Sequence, residues 1–298
     1  MKIIKNTTTI NFLNMSKYTF VFSLLLLIGG LFSIFYKGIN LSIDFKGGTI
    51  INLEIYENKK SISDLRREIK KLLSQNINIV ETNTSSDSQH LIITTEFLNN
   101  QNENLLNTFF TDAYEDKYKI LQIESIGPKL GNELKNNARN AIIIALLLIG
   151  IYITLRFDRF YALGSLIALL HDIFIIFSIF SIFNFEISVA IIAAFLTIVG
   201  YSLNDTIVIY DRIRENIYKF PKKEKYNIIN QSLNETLSRT IITSLTTLFV
   251  VVVLYIWGGK VLQPFSLALI IGVIIGTFSS LFVASPIMFL LDQKLNID

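Results

Sequence analysis

Six stretches of the 298-residue chain, near 18–36, 140–155, 160–183, 187–210, 240–257 and 264–291, run with almost no charge. Each is close to the roughly 17–25 residues a helix needs to cross a bilayer. With 51% hydrophobic residues, 17% charged residues and a mean hydropathy of +0.48, most of the chain belongs in lipid. Six transmembrane helices are predicted. The segment between Arg139 and Arg156 has 16 residues and needs its arginines to snorkel outward. The last holds Pro264 and Pro286 near its ends, so a shorter helix is expected there.

The first apolar run, Tyr18 to Tyr36, follows Lys2, Lys5 and Lys17 and has no small-x-small cleavage site, so it reads as a retained signal anchor. Thirteen Lys and Arg residues fall on one side: the N-terminus, Arg156, Arg159, the segment from Arg212 to Arg239, and Lys294. Lys260 alone falls on the other. Both termini are therefore expected on the cytoplasmic side of the membrane. The net charge of +3 reflects this orientation signal and implies no nucleic-acid partner. Zero cysteines exclude disulfides and thiolate metal sites, and two histidines exclude a histidine-rich metal centre.

The expected organisation is residues 1–36 with the first helix, an exported α+β domain over 37–137, and helices two to six over 138–298 with a basic cytoplasmic loop at 211–239. In the exported domain, Ile51, Leu53 and Ile55 alternate as on a half-buried strand over 50–56. Residues 61–74 read as a helix with a Ser61/Asp64 capping box and an apolar stripe of Ile62, Leu65, Ile69, Leu72 and Leu73. Strands at 78–82 and 89–97 flank a polar turn at 83–88. A helix at 99–114 and a strand at 118–126 complete a β-α-β-β-α-β order, hence a ferredoxin-like sandwich. That fold hosts many functions. No nucleophile-base set is visible, and His90 reads as an ordinary strand residue.

Polar residues in the apolar segments recur at offsets 0, 4, 7 and 8: Gly164, Ala168, His171 and Asp172; Thr197, Tyr201, Asn204 and Asp205; Arg239, Thr243, Thr246 and Thr247; Gly272, Gly276, Ser279 and Ser280. Such stripes are expected to turn inward from lipid and let helices approach closely. Packing alone does not call for the ionisable members. A carboxylate inside a membrane helix needs a partner, a wet cavity or a protonation cycle. Asp205 and Asp172 are therefore the candidate proton carriers. Arg239 is a candidate partner that could equally be an end residue fixing orientation, and His171 a neighbour that could form a static pair with Asp172.

The run Gly200-Tyr-Ser-Leu-Asn-Asp-Thr-Ile-Val-Ile-Tyr-Asp-Arg-Ile-Arg-Glu-Asn216 resembles the fourth-helix signature of the SecD/SecF protein-export family, on its SecF side, within the resistance-nodulation-division superfamily. Supporting blocks follow in family order: Asp44-Phe-Lys-Gly47-Gly48-Thr49, Gly127-Pro128, His171-Asp172 and Thr236-Leu-Ser-Arg-Thr240. Two positions depart from the pattern: Lys46, where an uncharged Thr is common, and Ser238, where a His is common.

The resemblance implies a subunit driven by the proton motive force that acts with SecD beside the Sec translocation channel on a translocating polypeptide. It carries functional roles to Asp205 and Arg239; with no metal cluster, phosphate loop or catalytic triad visible in the sequence, neither a cofactor nor enzymatic activity is expected. Six helices are half of a complete transporter of this superfamily, which implies a pseudo-symmetric homologous partner. Two other readings stay open: a proton-coupled exporter of small solutes or lipids, and a Sec scaffold that transports nothing.

Overall fold

The computed structural model describes residues 9–56, 61–73, 75–84, 88–114 and 117–295. Lys2, Lys5, Ser74 and the tip of the 83–88 turn, all used in the sequence reading, lie outside them. The chain divides into two compact units, residues 1–40 with 140–298, and residues 41–139.

Six helices are long and apolar enough to cross a membrane, all within the first unit except residues 128–139 of the second helix, which belong to the second unit. They are α1 (Phe12–Lys37), α5 (Pro128–Arg156), α6 (Arg159–Ile182), α7 (Val189–Lys219), α8 (Lys225–Trp257), and a sixth formed by α9 (Gly259–Ser279), a π turn (Ser280–Ala284) and α10 (Ser285–Leu295). Residues 211–239, read above as a basic loop, are helical except for 220–224. Arg212 of α7 to Glu235 of α8 at 2.6 Å holds the two helices together beyond the apolar stretch, with Arg212 also on Glu215 of its own helix and Gln231 donating to Glu235 within α8. The sixth helix is not shortened by its prolines. Pro264 lies within α9, and Pro286, which cannot donate to a helical ladder, follows the wider π turn that absorbs it. Tyr210 of α7 donates to the Ala284 carbonyl of that turn at 3.0 Å.

Side-chain amides staple α1 at both ends. Asn11 Oδ1 accepts from Tyr226 and Asn230, each at 2.7 Å, and Asn234 exchanges hydrogen bonds with the Ile10 backbone. At the other end Ile187 N donates to Asn40 O at 2.7 Å, and Asn40 donates to Asn184 O at 3.1 Å. The end of α1 is thereby tied to the turn that begins α7.

The second unit contains α2 (Ile43–Lys46), β1 (Gly48–Ile55), α3 (Ile62–Leu73), β2 (Ile77–Thr84), β3 (Gln89–Thr95), α4 (Asn100–Tyr114) and β4 (Tyr118–Ile126). The sheet order is β2-β3-β1-β4, antiparallel throughout, which is the split arrangement of a ferredoxin-like sandwich. Ile51, Leu53 and Ile55 are buried on the face covered by Leu65, Ile69, Leu106 and Phe110. Ser61 caps α3 through the Asp64 N–H at 3.2 Å and donates to the Asp64 carboxylate at 2.8 Å. His90 sits opposite Glu54 in the β1–β3 register and contacts it at 3.0 Å. A hydrogen bond from Ser88, ahead of the His90 contribution, holds the Glu54 carboxyl below its ordinary range.

Candidate functional site

The polar centre of the membrane unit lies where α6, α7 and α9 meet. Small residues allow the approach: a Cβ on Gly272 would overlap the side chain of Ile198, and one on Gly276 would lie 3.0 Å from Ser202 Cβ. A Cβ on Gly164 would lie 2.7 Å from the Tyr210 hydroxyl. Asp172, 1% exposed, bridges the three helices: its Oδ2 accepts from Ser202 at 2.6 Å and from Ser279 at 2.8 Å, and its Oδ1 lies 3.3 Å from His171 Nδ1. His171 Nε2 is buried with no hydrogen-bond partner among the described residues.

This geometry makes Asp172 a three-helix junction. Asp172→Ala would strand the Ser202 hydroxyl and His171 Nδ1 in a dry interior and leave Ser279 only its Gly276 carbonyl at 3.2 Å, at about 1–3 kcal/mol for each buried group left unsatisfied. The expected result is a lower thermal midpoint in detergent, whereas Asp172→Asn, which keeps one acceptor oxygen, falls between it and the parent.

Asp205 lies one turn beyond Ser202 on α7. It is 4% exposed, and its Oδ2 has no hydrogen-bond partner among the described residues; the same holds for Thr240 Oγ1 on α8. The α8 groups that act on its carboxyl are Thr243 and Arg239. The two charged residues are not in ion-pair contact here. Arg239 is exposed and lines a cleft of about 460 Å³ with Val208, Asp211, Arg212, Glu215, Glu235 and Thr236. Its long stem lets the guanidinium reach water rather than the carboxylate.

The stripe containing Asp205 does not turn inward as a whole. At about 100° per residue, the offsets 0, 4, 7 and 8 cover a sector of about 100° with Asn204 at one edge and Asp205 at the other. The body of this unit covers the Asp205 edge, while Thr197, Gly200 and Asn204, with Ala193, are exposed. Arg239 and Thr246 of α8 are exposed as well, so the inward expectation is corrected for these two helices. Gly164, Ala168 and Asp172 on α6 and Gly272, Gly276, Ser279 and Ser280 on α9 and the π turn are buried, with His171 partly so.

The second unit gathers the glycine motif. Ser42 caps α2 through the Asp44 N–H at 3.2 Å, and α2 ends at Gly47 with φ +76°. Gly48 follows with φ +147°, where a Cβ would lie 2.7 Å from Thr95 O. A side chain on Gly47 would press on Pro128 Cα at 3.0 Å, and one on Gly131 would press on Gly47 N at 3.1 Å. Gly47 and Gly48, which follow Asp44 in α2, thus come against Ile126 and Pro128, the residues flanking Gly127, where Gly48 pairs with Ile126.

The sequence reading missed Gly131, Ser202, and the network in which Asn216 donates to Ser232 at 2.9 Å and to Glu235 at 2.8 Å. Ser202 and Asn216 both lie inside the Gly200–Asn216 run, but an isolated polar residue on a helix does not reveal which neighbour it faces. No cluster of metal-ligating side chains occurs among the described residues.

Residues 106–294 match the family model of the protein export membrane protein SecD/SecF C-terminal region, and residues 32–55 match that of the SecD/SecF GG motif. The chain is 41% identical to the protein translocase subunit SecF of Calditerrivibrio nitroreducens, over 98% of this chain and 97% of that one. It is 40% identical to the SecF of Rhodothermus marinus, over 97% and 94%. It superposes on the crystal structure of SecDF, a translocon-associated membrane protein from Thermus thermophilus, with a TM-score of 0.87 and 34% identity. That match covers 98% of this chain but 40% of the SecDF chain. With the signature helix, the glycine turn and six spanning helices in one order, the chain belongs to the SecD/SecF family of protein export membrane proteins.

Proposed function

We propose that this chain is a subunit of the Sec protein translocase, driven by the proton motive force, which acts with SecD to complete polypeptide export through the Sec channel across the bacterial inner membrane. The observation that carries this reading is Asp205: a carboxyl group buried in a membrane helix, with one oxygen unpartnered, beside a polar face that its own chain leaves uncovered. A group so placed is expected to titrate in a working cycle. Protonated Asp205 is free of Arg239; on losing its proton it draws Arg239 inward. The resulting shift of α7 against α8 passes to α1 through the Asn40–Ile187 link and onward along the chain to the exported domain.

The exposed stripe of Ala193, Thr197, Gly200 and Asn204 is where SecD would complete the assembly, because small and polar residues pack well against another helix and poorly against lipid. Both termini and the 220–224 turn lie in the cytoplasm. The parent has no cysteine, so Asn204→Cys gives a unique thiol. A short bifunctional thiol reagent should join it to SecD in membranes that carry both proteins and a SecD cysteine scan. Cross-links confined to the opposite helix faces, with none at position 204, would reject this interface.

Energy limits the mechanism. One charge crossing the full field gains roughly 2.3 kcal/mol per 100 mV, whereas inverting a 1:99 equilibrium takes about 5.5 kcal/mol. A single proton at Asp205 biases the switch; a pH gradient, SecD or Asp172 supplies the remainder.

A further inference from the structure

In the membrane unit, α5 and α6 leave a groove of about 570 Å³ between them, lined by Ile143, Leu146, Leu147, Gly150, Leu166 and Leu170. That volume lies within the range of small-molecule pockets, about 300–1,000 Å³. Gly150 forms part of its wall facing Leu166: a Cβ there would lie 3.4 Å from the Leu166 methyls, whereas a longer side chain would extend into the groove. At Thr154 it adjoins a second cleft, of about 650 Å³, whose character changes abruptly. This cleft presents Asp158, Arg159, Lys225 and Asp292 among the rings of Phe157, Phe160 and Tyr161. Charged side chains gathered at the end of an apolar span mark headgroup depth in membrane proteins.

The charges of the cleft are balanced and separable. Lys225 already contacts Asp292 at 2.6 Å, whereas Arg159 has no carboxylate partner among the described residues and lies over the Phe160 ring at 4.9 Å from its centroid. Asp158 opens α6 without capping it through its side chain, and its carboxylate is exposed at the cleft. A purely anionic headgroup would meet Asp158 and Asp292 at close range. A headgroup carrying both a phosphate and a primary ammonium answers each charge in turn, and basic pockets between membrane helices are established seats for lipid phosphates.

We propose that this is a binding site for an aminophospholipid of the phosphatidylethanolamine type, with one acyl chain in the α5–α6 groove, its phosphate on Arg159 and its ammonium toward Asp158. Such a lipid fills the groove beside α5, whose other face packs on the core through Ile149 and Ile153.

Native mass spectrometry of the detergent-purified protein, with its bound subunits and equimolar phosphatidylethanolamine, phosphatidylglycerol and phosphatidylcholine, tests the site. Phosphatidylethanolamine should be retained preferentially, and Arg159→Ala or Gly150→Leu should each reduce its retention about tenfold. Arg159 is on the surface and its loss removes only its contact with the Phe160 ring, so that variant reads the site even if Gly150→Leu fails to assemble. Equal retention of the three lipids, or parental retention in Arg159→Ala, overturns the assignment. So does a photoreactive residue at Leu147 that captures a polypeptide in native membranes rather than lipid, since the groove would then belong to a protein partner.

Discussion

Asp205→Asn is expected to lower proton-driven export of a secreted reporter by up to about fiftyfold while the protein still inserts and accumulates. The figure is the Boltzmann weight of roughly 2.3 kcal/mol, the gain from one charge crossing 100 mV. Asparagine has nearly the shape of a protonated aspartate, so packing between α7 and α8 is preserved and only the ability to ionise is removed. The variant should therefore behave as a subunit held in one state, insensitive to collapse of the proton gradient. Export at the parental rate would reject the carboxylate mechanism. Arg239→Lys separates charge from shape: a guanidinium that closes on Asp205 with two parallel hydrogen bonds cannot be replaced by an ammonium, whereas a simple counter-charge can. A large loss in Arg239→Lys identifies the forked contact, and near-parental export identifies charge alone.

Gly272→Leu is expected to damage the protein itself. Even the first added carbon would overlap the Ile198 side chain, so α9 must move away from α7. Overpacking costs about 1–3 kcal/mol where neighbours can yield, and here the displacement would also draw Ser279 away from Asp172, a buried bond of 2.8 Å. The result to expect is poor accumulation in the membrane and a fall in the thermal midpoint of purified protein. Gly276→Ala, whose added carbon would meet Ser202 Cβ at 3.0 Å, should show a smaller fall. Equal midpoints for Gly272→Leu and the parent would mean that the close approach of α7 and α9 contributes nothing to stability.

The spans, the strand order and the core face of the exported domain were legible because they rest on periodicity within one segment. Ile51, Leu53 and Ile55 alternate along a strand and are all buried against α3 and α4. The ends of the membrane helices were less legible. Charges at 211–239 read as loop, yet Arg212, Gln231 and Glu235 satisfy one another and let α7 and α8 continue as helix. The sixth helix likewise read as shortened, because a proline signals a break unless a π turn takes up the missing donor.

By itself, the order of residues determined that this chain crosses a membrane six times, that a ferredoxin-like domain follows the first crossing, and that carboxylates lie within the apolar segments. These follow from lengths and repeats that each segment carries alone. Only the tertiary structure decided that Asp172 is enclosed by serines from two other helices while Asn204, next to Asp205, faces outward. Helical spacing defines a sector about 100° wide, and which edge of that sector meets protein depends on where the neighbouring helices stand.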